Sequence, residues 1–322
     1  MLKNSVKIMW NNNDITKDLE RFLTNVTYED VLSGESDVLE FTLEDSKHKF
    51  LGEWLPRRGS SVSISIDDLD FGTFEVDEIN PSSPPSVMRI KANSISQNSG
   101  LNQTDESKSW EKVLLSRIAK DIADASGVEL FYETDYDPEI NRAEQGEQSR
   151  LAFLQNLCDD AGLIIKVSDQ TLIIFEEKSL EEMPAKVSLT WTDITHFDAR
   201  ATLTEVYKDC QVNYREGQQD KNFSATATDP TKTEGRTLKI NKRVNSQAEA
   251  ERLARHKLRE ANKKEFEVTL TLPLNLKLLA GVTVDLDFGG FSGKWIIDES
   301  SHSVSDSGSQ SRIKLHRTEA QS

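Results

Sequence analysis

Toward both ends of the chain, apolar and polar residues alternate with a period of two. Val6, Ile8 and Trp10 do so, as do Val62, Ile64 and Ile66, then Phe74 and Val76, then Met88, Ile90 and Ala92; Val187, Leu189 and Trp191 resume the pattern later. Successive strand side chains point to opposite faces, so each run predicts a strand with one buried face. Turn chemistry separates the runs at residues 11–14, at Ser33-Gly34 and at Asp67-Asp68. The stretch 80–86, with three prolines, is expected to be a loop that no strand crosses.

The alternating segments repeat. Gly72-Thr73-Phe74-Glu75-Val76-Asp77-Glu78 returns as Gly293-Lys294-Trp295-Ile296-Ile297-Asp298-Glu299. The run after Gly59 has a counterpart after Gly281, and Met88-Arg89-Ile90-Lys91-Ala92 has one in Ser311-Arg312-Ile313-Lys314-Leu315. Upstream, Glu40-Phe41-Thr42-Leu43 is matched to Glu267-Val268-Thr269-Leu270. Four segments in one order predict a duplicated β-domain with other material between its copies.

Between residues 98 and 184 the period changes to 3.6. Ser109 is a candidate cap for a helix carrying Trp110, Val113, Leu114, Ile118, Ile122 and Ala125 on one face, with Gly127 ending it. A short strand at 128–132 and an acidic loop at 133–148 follow. Ser149 then caps a helix with Leu151, Leu154, Leu157, Cys158 and Ala161 inward, Gly162 stops it, and residues 163–175 form a hairpin. The unit is α/β. A strand is expected at 206–214 and a long mobile hairpin or loop at 218–236. Ser246 with Glu249 forms a capping box at the head of a helix at about 246–262. Its apolar face is Ala250, Leu253, Ala254, Leu258 and Ala261; its outer face carries Arg252, Arg255, Lys257, Arg259, Lys263 and Lys264.

A length of 322 residues accommodates two or three cores, which suits a duplication plus an insert. The net charge of −16 argues against nucleic-acid binding and against docking on anionic lipid, since both rely on Lys and Arg. The two cysteines, Cys158 and Cys210, fall on an apolar stripe and in a strand and are expected as buried reduced thiols. The start of the chain has no apolar signal core, and no run approaches the roughly 20 apolar residues of a membrane span, so synthesis and folding in a cytoplasm without membrane insertion are expected.

No catalytic constellation emerges. The five histidines are scattered without metal-ligand spacing. Gly289-Gly290-Phe291-Ser292-Gly293-Lys294 lacks the first glycine of a phosphate loop and has Trp295 after the lysine, so a hairpin turn is expected. Asp135-Tyr136-Asp137 opens like a calcium loop, but Ile140 stands where a turning glycine belongs and Gly146 where a closing glutamate belongs. Carboxylate pairs such as Asp67 with Asp70 and Asp285 with Asp287 sit at turns, where aspartate has backbone reasons to be. No enzyme activity, cofactor or metal is expected. The basic helix is either a solvated face paired with residues such as Glu249 and Glu260, or a contact for an acidic partner surface.

In this order and spacing, several stretches carry a resemblance: Asp14-Ile15-Thr16, Asp37-Val38-Leu39-Glu40-Phe41, Trp54-Leu55-Pro56-Arg57-Arg58-Gly59, residues 151–175, and Leu270-Thr271-Leu272-Pro273. The chain resembles the late control gene D family, the central hubs of contractile phage tails and tail-like injection particles. It is also similar to the hub-forming N-terminal part of the VgrG spikes of type VI secretion. The resemblance implies a mainly β fold with an α/β insert: a tube-like β-barrel domain over 1–97, an inserted α/β domain over 98–185 and a second tube-like β-barrel domain over 186–322. It implies a homotrimer whose six barrels join a six-fold tail tube protein to a three-fold central spike protein, in a phage, bacteriocin or other contractile injection system. Other baseplate proteins and a tape-measure protein are further implied partners, and an acidic channel wall would let DNA or the tape measure slide. No β-helix needle follows, so the spike is expected to be a separate chain. Candidate interface residues are Arg252, Arg255 and Arg259 on the basic helix and Trp54, Arg57 and Arg58 at the turn. A wall- or carbohydrate-binding β-domain protein and a cell-wall hydrolase are the alternatives.

Overall fold

The computed structural model describes residues 2, 4–34, 36–95, 99–104, 107–215 and 222–318. Strands make up 48% and helices 19%, so the fold is mainly β, as the alternation predicts. The first segment holds β1 (Val6–Trp10), β2 (Asn13–Asp14), α1 (Thr16–Leu19), β3 (Leu23–Val31), β4 (Val38–Glu44), β5 (Ser61–Ile66), β6 (Leu69–Ser82) and β7 (Val87–Asn93). They pair in the order β3-β4-β7-β6-β5-β1-β2. Val26, Leu39, Phe41, Val62, Phe74, Val76, Ile90 and Ala92 fill one core. Strand β6 runs through Asn80, Pro81 and Ser82, which had been expected to lie in a loop. Proline is tolerated because the ladder to β7 takes the N–H groups of Asn80 and Ser82, leaving the proline nitrogen facing away from β7.

The middle segment holds β8 (Lys108–Leu114), α2 (Leu115–Ser126), β9 (Glu129–Glu133), β10 (Glu139–Gln145), α3 (Arg150–Ala161), β11 (Ile164–Ser168), β12 (Thr171–Phe175) and α4 (Glu177–Glu182). Here the expected helix start is wrong: Trp110, Val113 and Leu114 lie in β8, which pairs with β10 inside the supposed acidic loop. Ser116 in α2's first turn is met by Asp137, which accepts from its backbone N–H at 2.9 Å and from its hydroxyl; a distant carboxylate thus replaces the local cap. The same contact commits the centre of the candidate calcium loop. Helix α3 starts as expected, with Ser149 Oγ accepting from Ala152 N at 3.2 Å, and Gly162 ends it in the left-handed region. The core joins Ile118, Ile122, Leu154, Cys158, Leu172 and Ile174.

The last segment holds β13 (Val187–Leu189), β14 (His196–Ala201), β15 (Tyr207–Arg215), β16 (Asn222–Thr228), β17 (Arg236–Asn241), α5 (Gln247–Asn262), β18 (Phe266–Pro273), β19 (Thr283–Leu286), β20 (Gly293–Ser305) and β21 (Gly308–Arg317). Residues 218–221 of the expected mobile loop lie outside the described residues. The remainder holds β16, which pairs antiparallel with β15, so of the two alternatives it is the hairpin that forms. Strands β15 to β17 form their own sheet and bury Cys210, Val212 and Ala225 against Leu253, Ala254 and Leu258 of α5. Both cysteines are free and buried. The other strands pair in the order β14-β18-β21-β20-β19-β13.

This order matches β3-β4-β7-β6-β5-β1 strand for strand, and the agreement reaches single bonds. Gly59 N donates to Val76 O and Gly281 N to Ile297 O, both at 2.8 Å, while Val76 N returns to Ser60 O at 2.9 Å and Ile297 N to Val282 O at 3.0 Å. Both halves share a bulge at the same place, skipping Asp77 against β7 and Asp298 against β21. The repeated Asp-Glu pair therefore marks a ladder irregularity that bends and twists the strand. One matched segment is corrected by two residues. Leu39 faces Ala92 and Val268 faces Leu315, so Leu39, Phe41 and Leu43 correspond to Val268, Leu270 and Leu272. A slip of two keeps every side chain on its face, so the alternation alone could not detect it. The halves differ in strand direction at one edge: β1 runs antiparallel to β5, but β13 runs parallel to β19.

Candidate assembly interface

The two half-sheets are joined edge to edge. Strand β20 pairs antiparallel with β3 over seven positions, from Glu299 opposite Val31 to Ser305 opposite Asn25. On the buried face of this seam Tyr28 stacks on His302 with centroids 6.4 Å apart, and His302 Nδ1 lies 2.7 Å from Ser311 Oγ. Asp30 accepts from Ala280 N at 2.8 Å, which ties β3 to the connection entering β19. Lys166 of β11 bridges the buried Asp30 and Asp37, so the middle unit is pinned to the seam by a half-buried cation. Burial pushes the Asp37 carboxyl up to about 6; Lys166 opposes the shift and the Asp30 charge adds to it. Burial sets the direction, and the neighbouring Asp30 carboxylate reinforces it because two carboxylates share one ammonium.

The second charged assembly lies where α4, α5, β20 and β21 meet. Arg259 reaches Glu181 at 2.5 Å and Glu177 at 3.1 Å, and Lys263 reaches Glu177 at 2.5 Å. His316 sits between Asp298 at 2.8 Å and Glu181 at 3.3 Å. Burial alone would lower the imidazole's pKa, but hydrogen bonds to Asp298 and Glu181 outweigh it and raise it to about 9. A protonated His316 balances the charge of Glu177, Glu181 and Asp298 against Arg259 and Lys263. Glu177, Glu181 and His316 are close enough together to ligate an ion, yet Arg259 and Lys263 already occupy the carboxylates. A divalent cation would have to displace two buried charges, and the group reads as an ion-pair latch.

The candidate interface residues separate into two places. On α5, Arg252 pairs with Glu176 at 2.7 Å and lies over the Tyr136 ring, and Arg259 is within the latch. Lys257 adds a contact to Asp159 at 2.6 Å. The basic stripe thus binds acidic residues of this chain, while Arg255 stays exposed. Arg252, Arg255 and Arg259, with Glu176 and Glu181, line a cleft of about 1260 Å³ between α4, α5 and the β16–β17 connection. On the connection between β4 and β5, Trp54 is 40% exposed and packs edge-on against Phe22 and Phe50. It borders an apolar groove of about 520 Å³ lined by Trp10, Ile15, Phe41, Phe50 and Arg57, and Arg58 points to solvent at its end of the turn. No contact among the described residues brings the two sets together. Sequence reasoning missed Glu177, Glu181 and His316 altogether; the four-residue spacing of the two glutamates was the available signal.

The chain is mainly β, with two half-sheets of one strand order joined in one sheet and an α/β unit between them. No protein-family model matches the chain. It is 26% identical over 178 residues to a probable baseplate hub protein of Escherichia phage 186 and 27% identical over 175 residues to that of Escherichia phage P2. Each match takes in 52% of this chain and 44% of the relative, so it spans under half the length of these relatives. In fold it is similar to a 43 kDa tail protein of prophage MuSo2 from Shewanella oneidensis, with a TM-score of 0.78, 14% identity and 98% of both chains covered. A component of the type VI secretion system of E. coli is also similar, with a TM-score of 0.59, 10% identity, and 99% of this chain and 76% of that one covered. The chain is thus similar in sequence to probable baseplate hub proteins over about half its length, and it shares its fold with phage tail and type VI secretion proteins. No helix among the described residues is long and apolar enough to cross a membrane.

Proposed function

We propose that the chain is the structural, non-enzymatic baseplate hub of a contractile tail or tail-like injection particle, forming a trimeric ring of pseudo-six-fold symmetry that joins tail tube to central spike. The carrying observation is the shared strand order of the two half-sheets within one covalent chain. Two similar units per chain turn three-fold into six-fold symmetry, which is what a junction between a three-fold spike and a six-fold tube requires. In this reading residues 1–97 and 186–322 contribute the two tube-like barrels and 98–185 the α/β unit that braces them. Tube protein, spike protein, other baseplate proteins and tape measure are the partners, and the net charge of −16 gives a channel that repels DNA rather than holding it. Synthesis is assigned to the bacterial cytoplasm.

Native mass measurement and low-resolution imaging test the reading. Three chains showing six similar densities in a ring are expected. A monomer that binds glycan and has no affinity for tube or spike would sink it in favour of a carbohydrate-binding protein. Clearing of a cell-wall zymogram by the purified chain would overturn the non-enzymatic assignment.

A further inference from the structure

The cleft between α4, α5 and the β16–β17 connection runs against the charge of the chain that holds it. The whole sequence carries −16, yet nine lysines and arginines line this cleft against six aspartates and glutamates. Pairing inside the chain then consumes nearly all of the negative side. Glu176, Glu177, Glu181, Asp229 and Glu265 each hold a cation of this chain, and among the cleft's carboxylates only the exposed Glu234 has no ion pair with a described residue.

On the positive side several groups stay unmatched. Arg255 is exposed and meets no carboxylate among the described residues. Arg236, also exposed, lies over the Tyr207 ring at 5.0 Å and has no ion pair there either. Arg317 sits over the Phe266 and Trp295 rings and donates to Gly290 O at 3.0 Å, but its Nε is buried without a hydrogen-bond partner. Burial pulls this guanidinium below its usual pKa, and only the more distant Glu265 charge opposes the shift. Beside these cations Leu203 lines the same cleft and is 82% exposed, which adds an apolar contact to a charged one.

We propose that this cleft binds an extended acidic segment of a partner protein, with its carboxylates on Arg236, Arg255 and Arg317 and an apolar side chain on Leu203. The site is complete in the single chain, so it does not depend on the ring reading. Three arginines suit carboxylates because the planar guanidinium fork can meet both oxygens at once. A volume of about 1260 Å³ exceeds the usual range of small-molecule pockets and leaves room for a stretch of peptide. Nucleic acid fits less well, because its dense phosphates would feel the negative field of the rest of the chain and make no use of Leu203. Arg259 and Lys263 are already satisfied by Glu177 and Glu181, so the partner contact of α5 lies at Arg255 and not along its whole basic stripe.

Fluorescence anisotropy on the purified full chain tests this, with a labelled peptide of acidic residues around one leucine. Binding at low salt is expected, falling steeply as salt is added, and the same peptide with glutamine for glutamate should not bind. Arg236→Glu/Arg255→Glu should weaken binding by about tenfold or more while the thermal melt stays unchanged. Leu203→Ser should weaken it and keep the salt dependence. Lys17→Glu, at an exposed cation outside the cleft, should leave it as it was. An equal loss from Lys17→Glu, or equal binding of the glutamine peptide, would overturn the site. A single-stranded oligonucleotide that binds more tightly than the peptide, and is lost in the double variant, would overturn the peptide assignment. Self-association that disappears in the double variant, with no peptide bound by the wild type, would give the cleft to a second copy instead. No peptide binding at low salt from a chain that is trimeric by native mass would sink the cleft and leave the hub standing.

Discussion

The latch at His316 makes stability depend on pH in a window where few side chains titrate. An isolated imidazole has a pKa near 6.5 and this one is raised to about 9. A group whose folded pKa is raised favours the folded state by an amount fully present below the unfolded value and lost as pH climbs through the folded one. The difference of about 2.5 units at about 1.4 kcal/mol each amounts to roughly 3 kcal/mol, not discounted for solvent because the ring is 4% exposed. Urea denaturation between pH 6 and 9.5 measures it. With an m-value of about 3 kcal/mol/M, the midpoint should fall by about 1 M as pH rises from 6.5 to 9. The variant His316→Gln should be less stable by a similar amount at pH 6.5 and almost flat across the window. An unchanged wild-type midpoint, or a variant that keeps the full slope, would refute the assignment of a charged His316.

Further outcomes follow from the same geometry. With its carboxyl raised to about 6, Asp37 favours folding below pH 4 and loses that contribution by pH 6; Asp37→Asn should remove the slope and be no less stable than wild type at pH 7, by urea midpoint. Gly59→Ala and Gly281→Ala both place a side chain at a φ near +80° to +84°, a strain of about 1 to 2 kcal/mol. Gly281→Ala should cost more, because its new Cβ would meet Leu180 and Leu32 at 3.1 and 3.2 Å while Gly59 has open space; equal losses in thermal melting would contradict this. Trp295→Ala empties a fully buried site and should cost about 3 to 5 kcal/mol, with loss of near-ultraviolet circular dichroism first in the second half-sheet.

Much of the fold was legible because period-two alternation survives wherever one strand face meets a core, and because Ser149, Gly162 and Ser246 cap helices locally. The failures share a cause. Trp110, Val113 and Leu114 have the spacing of a helix leading into Ile118, but pairing with residues 139–145 decides their state, and that partner lies about thirty residues away. Over β16 hairpin and loop stayed undecided, because Phe223, Ala225 and Ala227 alternate with polar residues too weakly to stand out of a hydrophilic segment. At the candidate interface, the positive stripe of α5 could be read, but not its destination: Glu176, Glu177 and Glu181 lie 76 to 82 residues from the arginines they bind. Charge sign is a local property of sequence; charge pairing is a property of the fold.

The internal seam also has a mechanical direction. Strands β3 and β20 run antiparallel through seven facing positions. A load along the strands must break all their cross-links together, whereas a load across them opens the ladder one pair at a time. Pulled lengthwise the junction behaves as a lap joint, and pulled sideways as a zipper. A device that transmits thrust along one axis would therefore gain rigidity from strands laid near that axis and keep a line of easy parting at right angles to it.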